Sequence, residues 1–247
     1  MVKIYRIPVP KDALERMPEH ERALLLLLGY IANQISMIWK FISYSKNYQP
    51  VGEIDENASA VQAHMLVRLM AGMVNEAWQV VTKQFLQSRL GKEYVELLDE
   101  GGRQALADLK RLFGNSNLLT QVRNNFAFHY PDSGEINAAF EAASKDETLK
   151  GCFEFYFSEH GFNSLFLISD AVMVHGIGRM GGGDTVAVHK ELMDALTRAS
   201  LAVNEFLKAF VAAAWRRHMG SEMAAREVVD VNAPSGDAVI LPFFIEN

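Results

Sequence analysis

The segment QVRNNFAFHYP at 121–131 places polar side chains that can do chemistry between apolar neighbours. Arg123 supplies donors that can hold an anion, and His129 belongs to the residue type that exchanges protons near neutral pH. Asn124, Asn125 and Tyr130 add hydrogen-bonding groups. The segment is therefore a candidate for the wall of an active site, and its alternative is the polar end of an ordinary helix.

Helical geometry leaves both readings of this segment open. Arg123 and Tyr130 are seven positions apart and share one face of an ideal helix, whereas His129 lies roughly 120° away from Arg123. Pro131 favours an end to the helix near Tyr130, and a frayed last turn would bring His129 toward Arg123. In the structural reading, His129 is a cationic side chain that the helix dipole favours.

Asp170 interrupts the apolar run LFLISDAVMV. A buried carboxylate needs a polar partner, so this residue either faces a polar pocket or lies on the wet side of its helix. We count it as a candidate substrate-binding residue. If the 121–131 segment is structural instead, Asp170 is the first candidate for a buried ion pair with Arg123.

The glycines of GIGRMG at 176–181 fit the pattern G-x-G-x-x-G. A dinucleotide fold needs this pattern between a strand and a helix, but the preceding residues favour a helix and no alternation of strands and helices surrounds them. We interpret HGIGRMGGGD as a connector between two helices. A small-molecule or nucleotide binder that uses 176–183 remains an alternative.

Metal binding is not expected. The seven histidines form no H-x-x-x-H or H-E-x-x-H motif, and the single Cys152 can build neither a structural zinc site nor an internal disulfide. A dimetal bundle would need paired E-x-x-H motifs, which the chain lacks. We predict neither a metal nor a cofactor.

The composition is that of a globular protein, and its single cysteine fits a reducing compartment or indifference to redox conditions. Of the 247 residues, 49% are hydrophobic and 22% are charged, and the net charge is −6. This acidic balance argues against a broad basic face for duplex DNA. No signal peptide is recognisable, and polar residues interrupt the apolar stretch 23–42, so we predict a cytoplasmic protein without a membrane span.

Three long amphipathic segments predict an all-α fold, a helical bundle. Apolar residues recur in each at alternating spacings of three and four, and the predicted helices run from about Glu19 to Asn47, Glu56 to Leu90 and Asp184 to Gly220. Shorter helices are predicted at 92–99, 103–113, 117–130, 134–144 and 161–176, the last with Asn163 or Ser164 as a possible N-cap.

Short accessory strands are predicted at 2–9, 151–159 and 237–245, where β-type residues cluster. Pro8 and Pro242 confine two of them to an edge, and these two terminal strands could pair as a ribbon. We find no internal repeat and no long low-complexity linker. We therefore predict one domain over 1–247.

The string R-N-N-F-A-F-H-Y, which begins at Arg123, resembles the R-x(4–6)-H signature of the HEPN superfamily, with five residues between Arg123 and His129. The polar Asn124 after the arginine also fits that signature. The order of two long helices, a motif helix and a further helix resembles the HEPN bundle. The chain would then be a HEPN-like domain with a C-terminal extension.

The resemblance implies a metal-independent endoribonuclease or an RNA-binding relative, acting in toxin–antitoxin systems or phage defence. It implies that Arg123 stabilises charge on the phosphate, His129 exchanges protons, and Asn124 orients the histidine or donates to the phosphate. Asn125 and Tyr130 would line the site. It also implies a homodimer with a two-fold interface, and an antitoxin or another protein as a possible partner.

A second reading is a non-catalytic helical interaction or regulatory protein. The acidic net charge favours this reading, because a free ribonuclease benefits from positive steering of RNA. The two readings differ in what they require of His129. An active site needs Arg123 and His129 in one polar cleft, whereas an interaction protein allows the histidine to be buried among apolar neighbours.

Overall fold

The prediction of an all-α fold with short accessory strands is confirmed. The computed structural model describes residues 1–114, 117–147, 149, 154–159, 163–219 and 227–246. Within these residues the α-helices are α1 Lys11–Arg16, α2 Glu19–Asn47, α3 Glu53–Val80, α4 Arg89–Tyr94, α5 Glu100–Phe113, α6 Leu118–Val122, α7 Ser133–Ala143, α8 Leu167–Met180 and α9 Thr185–Met219.

The first predicted helix, Glu19 to Asn47, has the same bounds as α2. Most of its predicted apolar stripe is buried, as expected for residues spaced three and four apart: Leu24, Leu28, Ile31, Ile35 and Ile42. By length and composition alone, α2 is also apolar enough to cross a membrane. The core helix of a soluble protein and a signal sequence near the N-terminus both meet the same criterion.

The second predicted helix, from Glu56 to Leu90, is wrong in its extent. The helix begins at Glu53 and passes at Val81–Leu86 into a π-helix. Ser88 then caps the next helix, α4, because its side chain accepts a hydrogen bond from the Leu90 backbone N–H. Gly91 lies inside α4 and does not end a helix. A Cβ there would lie 2.7 Å from the Phe85 carbonyl oxygen, so this glycine permits a close backbone approach.

The shorter helices differ from their predicted bounds at their ends. The segment predicted as 92–99 divides between α4 and a 3₁₀ turn, Val95–Leu97. The helix predicted at 103–113 corresponds closely to α5, and the helix predicted at 134–144 corresponds closely to α7. The helix predicted at 161–176 is α8, which begins at Leu167 and reaches Met180. Asn163 is not its N-cap, because its side chain bonds the Ile245 backbone instead.

Two strands form one antiparallel ribbon. Strand β1, Val2–Arg6, pairs with β2, Glu227–Val231, and Val2 lies opposite Val231. The predicted pairing of 2–9 with 237–245 is wrong, because the tail carries a 3₁₀ turn and bonds the end of α2. Of the strand predicted at 151–159, residues 151–153 lie outside the described residues, and Tyr156 forms a single bridge with Leu165.

The chain divides into two compact units, and three of the five boundaries between them fall within α2, α3 and α9. The first unit comprises Met1–Ser36, Glu76–Asn115 and Arg198–Ser235. Its core contains an aromatic cluster in which the Phe85 ring meets the Phe206 and Phe210 rings edge-on. The prediction of one domain over 1–247 stays a prediction.

The second unit comprises Met37–Asn75, Ser116–Thr197 and Gly236–Asn247, and it holds the 121–131 segment. Helices α7 and α8 pack on each other through the buried Ala139, Ala143 and Val172. Small side chains on α7 let the two helices approach closely.

Candidate active site

The motif helix is short and is held at its start. Asn117 caps α6 by accepting from the Thr120 backbone N–H at 2.9 Å. The buried Asn75 of α3 donates to the Thr120 hydroxyl at 2.8 Å, and Leu119 and Val122 of α6 are buried. These contacts fix α6 on α3 immediately before Arg123.

The helix predicted at 117–130 changes type at the motif itself. Residues Arg123–Ala127 form a π-helix, and the Phe128 backbone N–H closes it on the Arg123 carbonyl. A π turn contains an extra residue, which changes the face that each following side chain occupies, and such turns occur often at functional sites. Pro131 is buried after it, and Asp132 with Glu135 then forms the capping box of α7.

Two glycines give space to the aromatic side chains of this π turn. A Cβ on Gly72 of α3 would lie 2.8 Å from the Phe128 ring, and a Cβ on Gly176 of α8 would lie 2.7 Å from the Phe126 ring. Both rings therefore pack against helix backbone where a larger residue would collide. The turn is positioned from two sides, which orients the residues that follow it.

This geometry brings Arg123 and His129 together. The Arg123 Nη1 atom lies 3.5 Å from His129 Nε2, and His129 is exposed while Arg123 is half-buried. Arg123 Nη1 also donates to the exposed Asn124 Oδ1 at 2.9 Å. The observed contact of Asn124 is thus with the arginine, so its side chain can orient the guanidinium.

His129 also lines a cavity of about 370 Å³, which we call the His129 cleft. Tyr130, whose side chain is 97% exposed, forms part of its edge, and Asp170 of α8 lies in its lining. Arg123 is not among the lining residues, so His129 is the member of the Arg123–His129 pair that lines the cleft. Asn125 is half-buried in the π turn, and it neither lines the cleft nor joins the described contacts of Arg123 and His129.

Asp170 has a cationic partner, which is not Arg123. The Arg68 Nη2 atom of α3 donates to Asp170 Oδ1 at 2.8 Å, and the two side chains are 13% and 23% exposed. The pairing of Asp170 with Arg123, named as the first candidate only for a structural 121–131 segment, is therefore wrong. The sequence does contain a signal for Arg68, which is the one charged residue in the apolar run HMLVRLMAGMV, where a buried charge needs a partner.

Two histidines lie near this ion pair. The rings of His64 and His189 meet edge to face, with centroids 4.7 Å apart. Burial, the neighbouring His189 and the charge of Arg68 lower the pKa of His64 to about 4. His64 is therefore neutral at pH 7 and adds no positive charge beside Arg68.

The glycine segment is mostly helical and contains no phosphate-binding loop. Gly176 to Met180 lie in α8, so this part of the predicted connector is wrong. A turn at 181–184 follows, and Asp184 caps α9 by accepting a hydrogen bond from the Ala187 backbone N–H. A Cβ on Gly178 would lie 2.6 Å from the Thr185 hydroxyl. This glycine therefore serves packing between α8 and α9.

A second polar cluster, which the sequence did not suggest, is buried in the first unit. The Glu21 carboxylate accepts from the Tyr94 hydroxyl and lies 2.5 Å from His218 Nε2, with Arg217 3.7 Å away. Glu21 and Tyr94 are 2% and 0% exposed, so no substrate reaches them. Among the described residues, no group of three or more His, Cys, Asp or Glu side chains could hold a metal ion.

No family model matches the chain, and no curated protein and no solved structure matches it either. The resemblance to the HEPN superfamily therefore rests on the sequence motif from Arg123 to His129 and on the order of the helices.

Proposed function

We propose that this chain is a cytoplasmic, HEPN-like, metal-independent endoribonuclease or an RNA-binding relative, with a role in toxin–antitoxin systems or phage defence. The observation that carries the proposal is the 3.5 Å approach of the Arg123 guanidinium to the exposed His129 imidazole. A histidine buried among apolar neighbours would have favoured an interaction protein instead.

The chemistry follows from what the two side chains can do. RNA carries its own nucleophile, the 2′-hydroxyl, so the protein needs a group that takes its proton and donors that hold the phosphate. His129 takes that proton as the 2′-oxygen attacks phosphorus, the bond from phosphorus to the 5′-oxygen breaks, and the imidazolium or solvent protonates the leaving 5′-oxygen. Arg123 donates to the phosphate oxygens on which charge accumulates. Asn124, which accepts from Arg123, keeps the guanidinium directed toward the site.

The proposal is tested by incubating the purified protein with single-stranded RNA in the presence of EDTA. We expect cleavage that persists in EDTA, and we expect Arg123→Ala to reduce both cleavage and RNA binding. Arg16→Ala is the matched control, since it removes an exposed arginine that pairs only with Asp12 one turn away in α1. Absence of both cleavage and RNA binding, over a wide range of salt and substrates, would reject the proposal.

We also propose a homodimer in which α2 of one copy packs antiparallel on α2 of another. Leu26 and Tyr30 are 58% and 60% exposed on one stripe of α2. Glu19 stands at the start of this helix and Lys40 near its end. Antiparallel pairing therefore places Glu19 near the partner's Lys40 and aligns the helix dipoles favourably.

Light scattering coupled to gel filtration tests this contact. We expect a dimer for the wild-type chain and a monomer for Tyr30→Asp. Tyr5→Asp places the same charge at a similarly exposed tyrosine of β1 and should leave the dimer intact. A wild-type monomer at micromolar concentration would reject the contact.

A non-catalytic interaction protein is the second candidate, and the net charge of −6 favours it. Such a protein would keep the α2 contact and bind a partner without cleaving RNA. The RNA assay above distinguishes the two, because only the ribonuclease loses an activity in Arg123→Ala.

A further inference from the structure

The His129 cleft combines apolar walls with one charged pair. Its volume of about 370 Å³ is within the roughly 300–1,000 Å³ of small-molecule sites. Apolar or aromatic side chains form most of the lining, and those that matter here are Met65, Leu69, Phe126, Tyr130 and Met173. Such walls favour a flat apolar ring over a strongly hydrated group.

The charged pair in this lining keeps unused hydrogen-bonding capacity. Its contact joins one guanidinium nitrogen of Arg68 to one carboxylate oxygen of Asp170. A guanidinium has five N–H donors and a carboxylate accepts about four hydrogen bonds. The pair thus offers donors and acceptors side by side at one place in an otherwise apolar cleft.

A purely structural role explains this pair less well than a binding role. An ion pair that is mostly removed from water gains little net stability, because desolvating two charges offsets their attraction. Apolar residues would join α3 and α8 at least as well. Both members of the pair nevertheless line the cleft that contains His129.

We propose that the Arg68–Asp170 pair is a base-reading subsite that takes a guanine of single-stranded RNA. This inference rests on the proposed ribonuclease function. Proteins read single-stranded RNA by stacking unpaired bases on aromatic side chains and by bonding their Watson–Crick edges. Tyr130, exposed at the edge of the cleft, and Phe126 within it supply the aromatic surface.

Guanine is the base that fits this pair best. Its Watson–Crick edge presents two adjacent N–H donors, which suit the Asp170 carboxylate, and one carbonyl acceptor, which suits Arg68. Adenine and cytosine each offer only an exocyclic amino donor to the carboxylate, and uracil places its single N–H between two carbonyl oxygens that the carboxylate repels. A guanine held there lies beside His129, which lines the same cleft.

The test measures binding of the four nucleoside monophosphates to the intact protein by calorimetry. We expect GMP to bind at least about tenfold more tightly than AMP, CMP or UMP, the discrimination of one good bidentate contact. Asp170→Asn replaces a carboxylate, which only accepts hydrogen bonds, by an amide, which both donates and accepts. We expect this variant to lose the preference for GMP and to bind AMP more tightly relative to GMP. Equal affinities in the wild type, or an unchanged preference in Asp170→Asn, would overturn the inference.

Two further variants keep the result interpretable. Asp12→Asn makes the same change of charge at an exposed carboxylate and should retain the GMP preference. Tyr130→Ala removes a side chain that is almost fully exposed, so it should leave folding intact. Because stacking tolerates every base, the variant should weaken the binding of all four nucleotides by a similar factor. A Tyr130→Ala variant that binds all four as tightly as the wild type would count against the subsite.

Nucleotide binding does not depend on cleavage, so the two proposals fail separately. A GMP preference without RNA cleavage supports the subsite and contradicts the ribonuclease. RNA cleavage without a guanine preference supports the ribonuclease and contradicts the subsite.

Discussion

Arg123 Nη1 and His129 Nε2 lie 3.5 Å apart, although an ideal helix would place these residues roughly 120° from each other. The π-helix at Arg123–Ala127 and the bend after it account for the difference. The pair therefore depends on local backbone geometry that α3 and α8 support through Phe128 and Phe126.

Gly72→Ala should disturb this support. The added Cβ would lie 2.8 Å from the Phe128 ring and 3.2 Å from the Ala127 side chain, so the Phe128 ring must move and the end of the π turn must adjust with it. We expect RNA cleavage to fall by about tenfold or more, as small misplacements of catalytic groups do. Cleavage rates and melting temperatures measured on the same samples check this prediction.

Gly101→Ala is the matched control for that variant. Gly101 of α5 is exposed and its added Cβ would meet Asp99 Oδ1 at an ordinary contact distance of 3.7 Å, so the change should not lower stability, because alanine favours a helix over glycine, and should leave cleavage unchanged. Wild-type cleavage in Gly72→Ala would show that the position of the π turn does not govern activity.

His64 should make stability depend on pH. Its folded pKa of about 4 is below the ordinary histidine value of 6.5, so the unfolded chain binds the proton more readily. The stability that neutral His64 contributes is fully present above about pH 6.5 and is lost as the pH falls toward 4, with about 2 kcal/mol lost between pH 7 and pH 5. Urea unfolding at these two pH values measures the loss.

His64→Gln isolates this contribution, because glutamine does not titrate. We expect its loss of stability from pH 7 to pH 5 to be about 2 kcal/mol smaller than that of the wild type. His20→Gln, at an exposed histidine, should behave like the wild type. An equal loss in His64→Gln and the wild type would contradict the assignment.

The long helices were predictable from sequence because their signals are local. A heptad-like apolar stripe and flanking breakers define α2, and Asp184 caps α9 as an N-cap residue should. The bounds of α3 were less predictable. Its passage into a π-helix and the packing role of Gly91 depend on contacts between segments, which periodicity does not encode.

The candidate site was predictable in its residues and not in its geometry. The motif indicated Arg123 and His129, and the apolar run indicated that Asp170 needs a partner. That partner is Arg68, which lies 102 positions from Asp170 in the sequence. Its identity therefore follows only from the packing of α3 on α8. The strand pairing of β1 with Glu227–Val231 was missed for the same reason.

The buried cluster around Glu21 should contribute to stability. The Glu21 carboxylate is 2% exposed and contacts the Tyr94 hydroxyl and His218. Burial raises the pKa of Tyr94, and the hydrogen bond to Glu21 raises it further. Glu21→Ala leaves these partners without their acceptor, and we expect a loss of about 3 kcal/mol. Denaturant unfolding at pH 7 measures the loss.

Glu56→Ala provides the comparison for that variant. Glu56 is exposed in the first turn of α3, so its removal should change the free energy of unfolding by no more than about 0.5 kcal/mol. Similar effects of the two substitutions would mean that the cluster adds nothing beyond ordinary surface charge.

The central claim is that His129 acts in catalysis and contributes little to folding. The most direct measurement compares the single-turnover rate of RNA cleavage and the melting temperature of His129→Ala with those of the wild type and of His20→Ala. We predict a fall in rate of about 100-fold or more for His129→Ala with nearly unchanged melting, because an exposed acid–base group contributes to the transition state and hardly to the core. A large drop in melting temperature with unchanged cleavage would show that His129 belongs to an ordinary helix end.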